Sequence, residues 1–427
     1  MKRILFWFRR DLRLKDNKGL YEALSSADEV IPVFIFDDEI LKELESDDPR
    51  VNFIYDSLAE LDIQLRLYGS GLFVYRGQVL DELEKMIVSW KPDSIFFNHD
   101  YEPYALERDE NVRKLCQQHA MNVQSFKDQV IFEKGEVVKP DGLPYTVFTP
   151  YSKKWKARIK SSDIQDYTDA NLYNNFIKQS IPLPSIESLQ LMRNRTITVR
   201  PINLSRINHY SELRNFPSQD SGSYLSPHLR FGTISIREVM RQTKDTEVFL
   251  NELIWREFFM QILFHFPIVV SNSFKVKYDR IVWRNNAEEF DRWCNGTTGY
   301  PMVDAGMREL NATGYMHNRV RMVTASFLCK HLLIDWRWGE AYFAKKLLDY
   351  ELASNNGNWQ WAAGTGCDAA PYFRVFNPSE QVIKFDKDFL YIMKWVPEFN
   401  SFSYHRPMVD HSFARNRALQ TYKTALE

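Results

Sequence analysis

Short apolar runs alternate with helical patterns over the first 130 residues. The runs cover residues 3–8, 30–36, 72–75 and 94–97, with a more polar segment at 122–126, and helical periodicity fills the stretches between them. Continuous apolar runs are typical of buried parallel strands. Their alternation with helices predicts βαβ units in a doubly wound, parallel α/β sheet. No GxGxxG sequence follows a strand, which argues against Rossmann-type dinucleotide binding.

The pattern changes after residue 130. Prolines interrupt residues 131–200, which we expect to be a long linker with a few helical turns. Helical periodicity then continues almost to the end, where the last helix is predicted at 408–426. We therefore expect an α/β domain at 1–130, the linker at 131–200 and an all-α domain at 201–427. The linker contains a basic run that reads as a solvated face, with phosphate contact as the alternative, at Lys153, Lys154, Lys156 and Arg158.

Residues 299–378 contain the highest concentration of candidate functional side chains. Four tryptophans lie close together among asparagines, arginines and carboxylates, at Trp336, Trp338, Trp359 and Trp361. Apolar positions at helical spacing place these polar residues on buried or half-buried helices. Because buried amides and charges need hydrogen-bond partners, the segment predicts a bound ligand that is flat and polar.

Composition narrows these expectations. Aromatic residues make up 15% of the chain, which suits thick helical packing or the stacking of flat ligands and bases. The net charge is -1, so any positive field for a polyanion has to be local. The four cysteines lack metal-ligand spacing, and no apolar segment reaches membrane-spanning length. We expect no metal, no membrane contact and a monomeric protein of the reducing cytoplasm.

Six motifs carry a resemblance to a known family. They are FRRDLRLKDN at 8–17, GSYLSPHLRFG at 222–232, NELIWREFF at 251–259, TGYPMVDAGMREL at 298–310, TGYMHNRVRM at 313–322 and NNGNWQWAAGTGCDAAPYFRVFNP at 355–378. In this order they resemble the photolyase/cryptochrome family along the whole chain, and most of all the bacterial class I photolyases of cyclobutane pyrimidine dimers. The resemblance implies an N-terminal α/β antenna domain, a linker and a helical domain that holds FAD.

The resemblance assigns one set of residues to FAD. These are Tyr210, Gly222, Ser223, Tyr224, Leu225, Ser226, Glu252, Arg256, Asn318, Arg321, Asp349, Glu351 and Asn355. Ser223 and Ser226 lie at a predicted helix start, where backbone N–H groups suit a diphosphate, although a plain serine N-cap is the ordinary meaning of such a pattern. Arg321 and Asp349 resemble the family's ion pair at the flavin ring. Asn355 resembles the residue that faces flavin N5, where plant cryptochromes carry Asp.

A second set is assigned to damaged DNA, and a third to electron transfer. The DNA set is Arg214, Glu252, Trp255, Asn318, Arg319, Met322 and Trp361. In it, two tryptophans would form an apolar wall for a flipped dimer, two arginines would contact phosphates, and Glu252 and Asn318 would act as catalytic hydrogen-bonding groups. Six-four photolyases carry histidines in place of Asn318 and Met322, so a cyclobutane dimer is the expected substrate. The electron-transfer chain would be Trp283, Trp336 and Trp359, with plain core packing as the alternative.

The α/β domain offers a cluster for a second, antenna chromophore. The candidate residues are Asp38, Arg50, Asp100, Glu102 and Glu107. Folate-binding relatives have an Asn–Glu pair where this chain has Leu106 and Glu107. Deazaflavin binders show a pattern similar to Asp100, Glu102, Pro103 and Tyr104. Because the two patterns disagree, methenyltetrahydrofolate, a deazaflavin and the absence of an antenna all stay open.

The resemblance implies a light-driven lyase that acts on UV-damaged DNA. Reduced FAD would absorb blue light and pass an electron to a flipped dimer, the cyclobutane bonds would split, and the electron would return. Glu252 would stabilise the charge that develops on a dimer carbonyl oxygen. The alternative is a cryptochrome-like photoreceptor, which would use the flavin and the tryptophan chain without needing Glu252, Trp255 or Asn318.

Overall fold

The computed structural model describes residues 2–427, which form two compact units. The sheet unit consists of the residues up to 136 together with 155–202 and 224–245, and the helical unit consists of 137–154, 203–223 and 246–427. Neither unit is a single stretch of chain, and one boundary between them falls inside a helix, at residues 154 and 155.

Five parallel strands form the centre of the sheet unit, in the spatial order β3-β2-β1-β4-β5. The strands are β1 Arg3–Phe8, β2 Glu29–Asp37, β3 Phe73–Gly77, β4 Ser94–Asn98 and β5 Asn122–Phe126. Leu5 of β1 pairs with Ile31 of β2 and Ile95 of β4. Alternate residues of β1 enter apolar clusters on the two opposite faces of the sheet. Burial on both faces is why the strands read as continuous apolar runs, and the predicted doubly wound α/β fold is confirmed.

Helices make up most of the remaining regular structure. In chain order they are α1 Lys18–Ser26, α2 Asp38–Leu41, α3 Pro49–Arg66, α4 Val79–Trp90, α5 Pro103–Gln118, α6 Phe148–Arg158, α7 Tyr210–Leu213, α8 Leu225–Phe231, α9 Ile236–Thr243, α10 Glu247–His265, α11 Ala287–Cys294, α12 Pro301–Thr313, α13 Asn318–Ser326, α14 Trp336–Lys346, α15 Leu352–Ala363, α16 Pro378–Phe385, α17 Leu390–Trp395 and α18 His411–Leu426. A π-helical turn, Phe327–His331, follows α13 directly.

One predicted helix boundary at the end of the chain is wrong. The periodicity predicted a start at residue 408, whereas α18 starts at His411. The carboxylate of Asp410 accepts a hydrogen bond from the backbone N–H of Phe413 at 2.8 Å and so caps the helix. Such a cap satisfies an N–H group that has no partner within the helix, and it fixes the first turn more sharply than apolar spacing does.

A buried ion cluster holds residues 224–245 in the sheet unit. Arg237 of α9 contacts Asp16 and Asp128 at 2.7 Å each, and Arg13 contacts Asp128 at 2.6 Å. All four side chains are buried. Burial alone would raise the pKa of Asp128, but the two arginines outweigh it and lower that pKa to about 2. The cluster joins α9 to loops at the start of the chain and after β5.

Aromatic side chains fill the core of the helical unit. Trp293, Trp336 and Trp359 are buried in one cluster with residues of α12, α13, α14 and α15. Gly339 lets α14 approach Trp359, because a Cβ at this position would lie 2.1 Å from Cη2 of that indole. This packing sets the positions of α13, α14 and α15, which carry many of the expected site residues. No helix in residues 2–427 is both long and apolar enough to cross a membrane.

Candidate active site

An ion pair between α10 and the end of α7 connects two residues to which the sequence assigned different tasks. Glu252, expected at the dimer, contacts Arg214, expected at a phosphate, at 2.6 Å. Their side chains are 30% and 27% exposed, so solvent reaches both groups. Burial raises the pKa of Glu252, although Arg214 acts in the opposite direction. The carboxyl group is therefore easier to protonate than an ordinary glutamate.

The start of α13 concentrates positive charge. Nδ1 of His317 caps the helix by accepting from the backbone N–H of Arg319 at 3.2 Å. The Arg319 guanidinium donates to Oδ1 of Asn215 at 2.6 Å, and Arg321 contacts Asp349 at 2.9 Å. Burial and the three nearby arginines at 319, 321 and 214 lower the pKa of His317 to about 4. The imidazole is thus neutral near pH 7, and a local positive field exists in a chain whose net charge is -1.

Other members of the DNA set lie on helices α13 and α15. Asn318 is exposed, and Met322 of α13 and Trp361 of α15 are half-buried. In the part of the chain that the structure describes, Trp255 and Trp361 make no ring contact with one another. The helices that carry these two tryptophans do meet, because Phe259 of α10 packs on the α15 backbone at Gly357.

The amide of Asn355 is held by a carboxylate that sequence reasoning missed. Nδ2 of Asn355 donates to the backbone oxygen of Glu340 at 3.0 Å and to Oε1 of Glu340 at 2.8 Å. Burial raises the pKa of Glu340, and the bond from Asn355 partly offsets that rise. With both amide hydrogens engaged, the amide oxygen is the atom left to accept from a ligand. Glu340 belongs to none of the six motifs, so only the fold could place it beside Asn355.

Three further residues of the expected FAD set lie in the helical unit. Arg256 of α10 contacts the buried carboxylate of Glu351 at 3.4 Å. Tyr210 starts α7, and its ring meets the ring of Phe249 edge-on, with 5.1 Å between centroids. Burial and the charge of Glu252 raise the pKa of the Tyr210 hydroxyl. The hydroxyl therefore stays protonated and can donate a hydrogen bond.

The glycine–serine segment before α8 is divided between the two units. Gly222 and Ser223 belong to the helical unit, whereas Tyr224, Leu225 and Ser226 belong to the sheet unit. α8 begins at Leu225, and Tyr224 before it has a φ of 52°. The helix start thus lies where the sequence pattern places it. Ser226, in the first turn of this helix, is exposed.

The three tryptophans of the expected electron-transfer chain share one apolar cluster. Trp336 and Trp359 are buried, and the partly buried Trp283 packs against the same cluster. Among residues 2–427 these three indoles make no ring contact with one another. The ring of Trp283 instead meets Tyr422 edge-on, with 5.9 Å between centroids. The set therefore leads from buried to partly exposed positions, as electron transfer to the surface requires, but this arrangement equally suits core packing.

Arginines pair with most of the carboxylates of the expected antenna cluster. Asp100 contacts Arg10 at 3.0 Å, and Glu102 contacts Arg10 at 3.3 Å and Arg230 at 3.0 Å. Burial would raise the pKa of Asp100, but the arginines around it hold that pKa well below its usual range. Outside this network, Asp38 contacts Arg76, Arg50 contacts Asp48, and Glu107 is exposed. These contacts do not distinguish the folate-binding pattern from the deazaflavin-binding pattern.

Comparison with known proteins adds independent findings. Residues 4–169 match the family model described as DNA photolyase, and residues 249–403 match the FAD binding domain of DNA photolyase. The deoxyribodipyrimidine photo-lyase of Halobacterium salinarum is 37% identical over 99% of both chains. A class III photolyase from Agrobacterium tumefaciens has a TM-score of 0.89 at 33% identity, covering 100% of this chain and 98% of that chain.

A second solved structure bears on cofactors. The photolyase of Sulfolobus tokodaii has a TM-score of 0.85 at 36% identity, covering 99% of this chain and 100% of that one. It is described as holding two FAD molecules, with the implication of a novel light-harvesting cofactor. Residues 249–403 of this chain match the FAD binding domain of DNA photolyase.

Proposed function

Because the chain belongs to the photolyase/cryptochrome family, we propose that it is a deoxyribodipyrimidine photo-lyase that splits cyclobutane dimers in UV-damaged DNA with FAD and light. The observation that carries the proposal is the position of Glu252 and Trp255 on one helix, with Glu252 paired to Arg214 and easy to protonate. A photoreceptor that only reduces its flavin needs no such pair. The proposal includes a monomeric enzyme of the cytoplasm with domains at 1–130 and 201–427 and a linker at 131–200.

The residues of the helical unit fit a flavin by their chemistry. The Asn355 amide has its nitrogen fixed by Glu340, so its oxygen can accept from a protonated ring nitrogen of the cofactor. Arg321, paired with Asp349, supplies positive charge near a reduced, anionic ring. Tyr210, Gly222 and Ser223 of the same unit would hold the phosphates. Bound FAD supplies the photoexcited electron donor.

The lesion is held by residues of α10, α13 and α15. Trp255 and Trp361 offer flat apolar faces to an extruded pyrimidine pair. A protonated Glu252 donates to a carbonyl oxygen on which negative charge develops, whereas an ionised Glu252 accepts from an imide N–H. Asn318, which is exposed, reaches the same polar edge of the bases. The chain thus stabilises the reduced dimer while its ring opens, and it needs no net oxidation or reduction.

Phosphate contacts come mainly from groups other than Arg214. Its guanidinium is paired with Glu252, so part of its charge is neutralised. Arg319 lies at the start of α13 with a half-buried side chain, and Lys153 and Lys154 are exposed on α6. Such contacts contribute affinity and salt dependence but no selectivity for the lesion.

The tryptophan chain and the antenna complete the proposal. Trp359, Trp336 and Trp283 would reduce photoexcited, oxidised FAD from the protein surface. A second chromophore would bind at the carboxyl ends of the strands, and the Sulfolobus relative with two FAD molecules adds a flavin to the two candidates from the sequence. The proposal concerns the reaction and not the class, since the motifs resemble class I while one structural neighbour is a class III photolyase.

Selective binding in the dark tests the proposal. The protein is loaded with FAD, chemically reduced, and mixed with an oligonucleotide that carries one thymine dimer, and separately with the same oligonucleotide undamaged. We expect the dimer to increase affinity by at least about tenfold, because a flipped lesion adds stacking and hydrogen bonds that undamaged DNA does not supply. White light should then release the oligonucleotide with its thymines restored. Equal binding of both oligonucleotides, with no change in light, would contradict the proposal.

A further inference from the structure

Phe148, the first residue of α6, covers one face of Trp255. The two rings are nearly parallel, at 3°, and their centroids are 3.7 Å apart. This separation and angle are those of a stacked aromatic pair or of a base on an aromatic side chain. Phe148 comes from the segment that the sequence marked as a linker, far in the chain from Trp255, and both residues belong to the helical unit.

The opposite face of Trp255 is occupied by Phe259. Their centroids are 5.3 Å apart and their planes differ by 29°. Phe148 and Phe259 make no ring contact with each other among the described residues, which places them on opposite sides of the indole. Phe259 is 6% exposed and packs on Gly357, where a Cβ would lie 2.1 Å from the phenyl ring. Phe259 therefore has no space to move away, and any base that stacks on Trp255 has to use the face that Phe148 covers.

Hydrogen bonds anchor the backbone around Phe148, whereas its ring contacts the rings of Trp255 and Phe258. Its N–H donates to Oδ2 of Asp368 at 2.9 Å. Nearby, the backbone oxygen of Tyr145 accepts from Gln261 of α10 at 2.7 Å, and the ring of Tyr151 lies 5.3 Å from that of Phe258. These bonds fix the segment on α10. The Phe148 ring also meets the Phe258 ring edge-on, with 5.9 Å between centroids. Because the Phe148 ring is half-buried at the first position of a helix, a change of χ1 that moves it off the indole gives up both aromatic contacts but leaves the helix unbroken.

We propose that the Phe148 ring occupies the stacking face of Trp255 in DNA-free protein, at the position that a flipped base would take. An extruded dimer displaces this ring. This inference rests on the proposed function and adds a residue that sets how tightly an extruded base is bound. The stack with Phe148 keeps the indole ordered and shielded from water before DNA arrives. It also imposes a cost on every base that enters, so a base that is held only by stacking gains little, whereas a dimer gains the additional bonds to Glu252 and Asn318.

Dark binding to FAD-loaded variants tests this inference. Phe148→Ala removes the competing ring, and Phe148→Leu removes its flat face while keeping apolar volume. The matched control is Phe413→Ala, which removes a 60% exposed phenylalanine from the first turn of another helix. FAD content and melting temperature report whether each variant is folded. Loss of one aromatic stack should raise dimer affinity by about two- to tenfold in the Ala variant, with little change in Phe413→Ala.

The direction of the change in affinity distinguishes this role from simple support. We expect Phe148→Ala to bind undamaged single strands more tightly as well, by no more than the factor gained for the dimer, because the same competing ring is removed for every base. Weaker dimer binding in both Phe148 variants would mean that Phe148 holds Trp255 from behind, and this would overturn the inference, as would unchanged affinity. If the unmodified protein itself shows no preference for the dimer, the proposed function fails, which is a separate result.

Discussion

Replacing Glu252 tests the chemical core of the proposed mechanism. A carboxylate can only accept hydrogen bonds, so the group that stabilises charge on a dimer carbonyl has to be the protonated acid. Burial raises the pKa of Glu252, and the protonated form is present below that pKa and lost as the pH rises through it. Repair per absorbed photon should therefore decrease as the pH rises. Arg214→Gln removes the charge that lowers this pKa and should move the decrease to higher pH.

The expected loss of dimer splitting in Glu252→Ala follows from the free energy of one hydrogen bond to a charged group. Such a bond contributes about 1.5–3 kcal/mol, so Glu252→Ala should slow dimer splitting about 10- to 150-fold relative to charge return. Glu252→Gln keeps an N–H donor at any pH, and it should retain most of the yield with a flat pH profile. The ion pair itself is about 30% exposed on the Glu252 side, so its loss should cost the fold about 1 kcal/mol or less.

The assay is repair of a single-dimer oligonucleotide at fixed light dose, with chemically reduced protein, from pH 5 to 9. Bound FAD is measured in each sample, so that loss of cofactor is not mistaken for loss of chemistry. The Gln variant serves as the control for any other group that titrates in this range. A Gln variant as poor as the Ala variant, or one that keeps the same pH dependence as the unmodified protein, would mean that Glu252 does not act as a hydrogen-bond donor to the dimer.

Three other substitutions, each with a control variant, address electron transfer, stability and cofactor binding. Trp336→Phe should largely abolish photoreduction of oxidised FAD, while repair by chemically reduced protein is unchanged. Trp338→Phe, on the same helix, should leave both activities intact. Equal rates of FAD photoreduction in the two variants would favour plain core packing. Arg237→Ala leaves two buried carboxylates of the sheet unit with less positive charge to pair with, and it should lower the free energy of unfolding by about 3–5 kcal/mol. The side chain of Arg241 is 30% exposed, so Arg241→Ala should lower the free energy of unfolding by about 1 kcal/mol or less. Urea unfolding followed by circular dichroism measures both. Glu340→Ala releases the amide of Asn355 and should raise the Kd for FAD about fivefold, whereas Glu340→Gln should restore most of the affinity because its amide oxygen still accepts. Flavin fluorescence during titration with FAD measures both Kd values. An Ala variant that binds FAD as tightly as the unmodified protein would contradict this role of Glu340.

Local sequence signals predicted the elements of the fold well. The apolar runs at 3–8 and 30–36 correspond to β1 and β2. Strands that are buried on both faces read as continuous apolar runs, which made these two easy to predict. Capping was less visible, as the late start of α18 at His411 demonstrates. Family motifs, and not periodicity, pointed to Asn355 and Trp255, since an isolated amide or indole on a helix face has no unique meaning.

Contacts between distant segments were outside the reach of sequence reasoning. Arg237 and Asp16 lie 221 positions apart, and neither residue indicates its partner. The same holds for Glu340 beside Asn355 and for Phe148 on Trp255. A charge or an aromatic ring satisfies its bonding needs with whatever the fold brings near, so these pairs become visible only when the helices are in place.

Light-dependent repair of DNA is the most direct measurement of the proposed activity. Chemically reduced protein is mixed with UV-irradiated oligothymidylate, and thymine absorbance is followed under blue light and in the dark. Absorbance should recover only in the illuminated sample, in proportion to the light dose and for many dimers per protein molecule. No recovery from protein that holds reduced FAD and binds the oligonucleotide would contradict the account and would leave the cryptochrome-like photoreceptor as the better explanation of this chain.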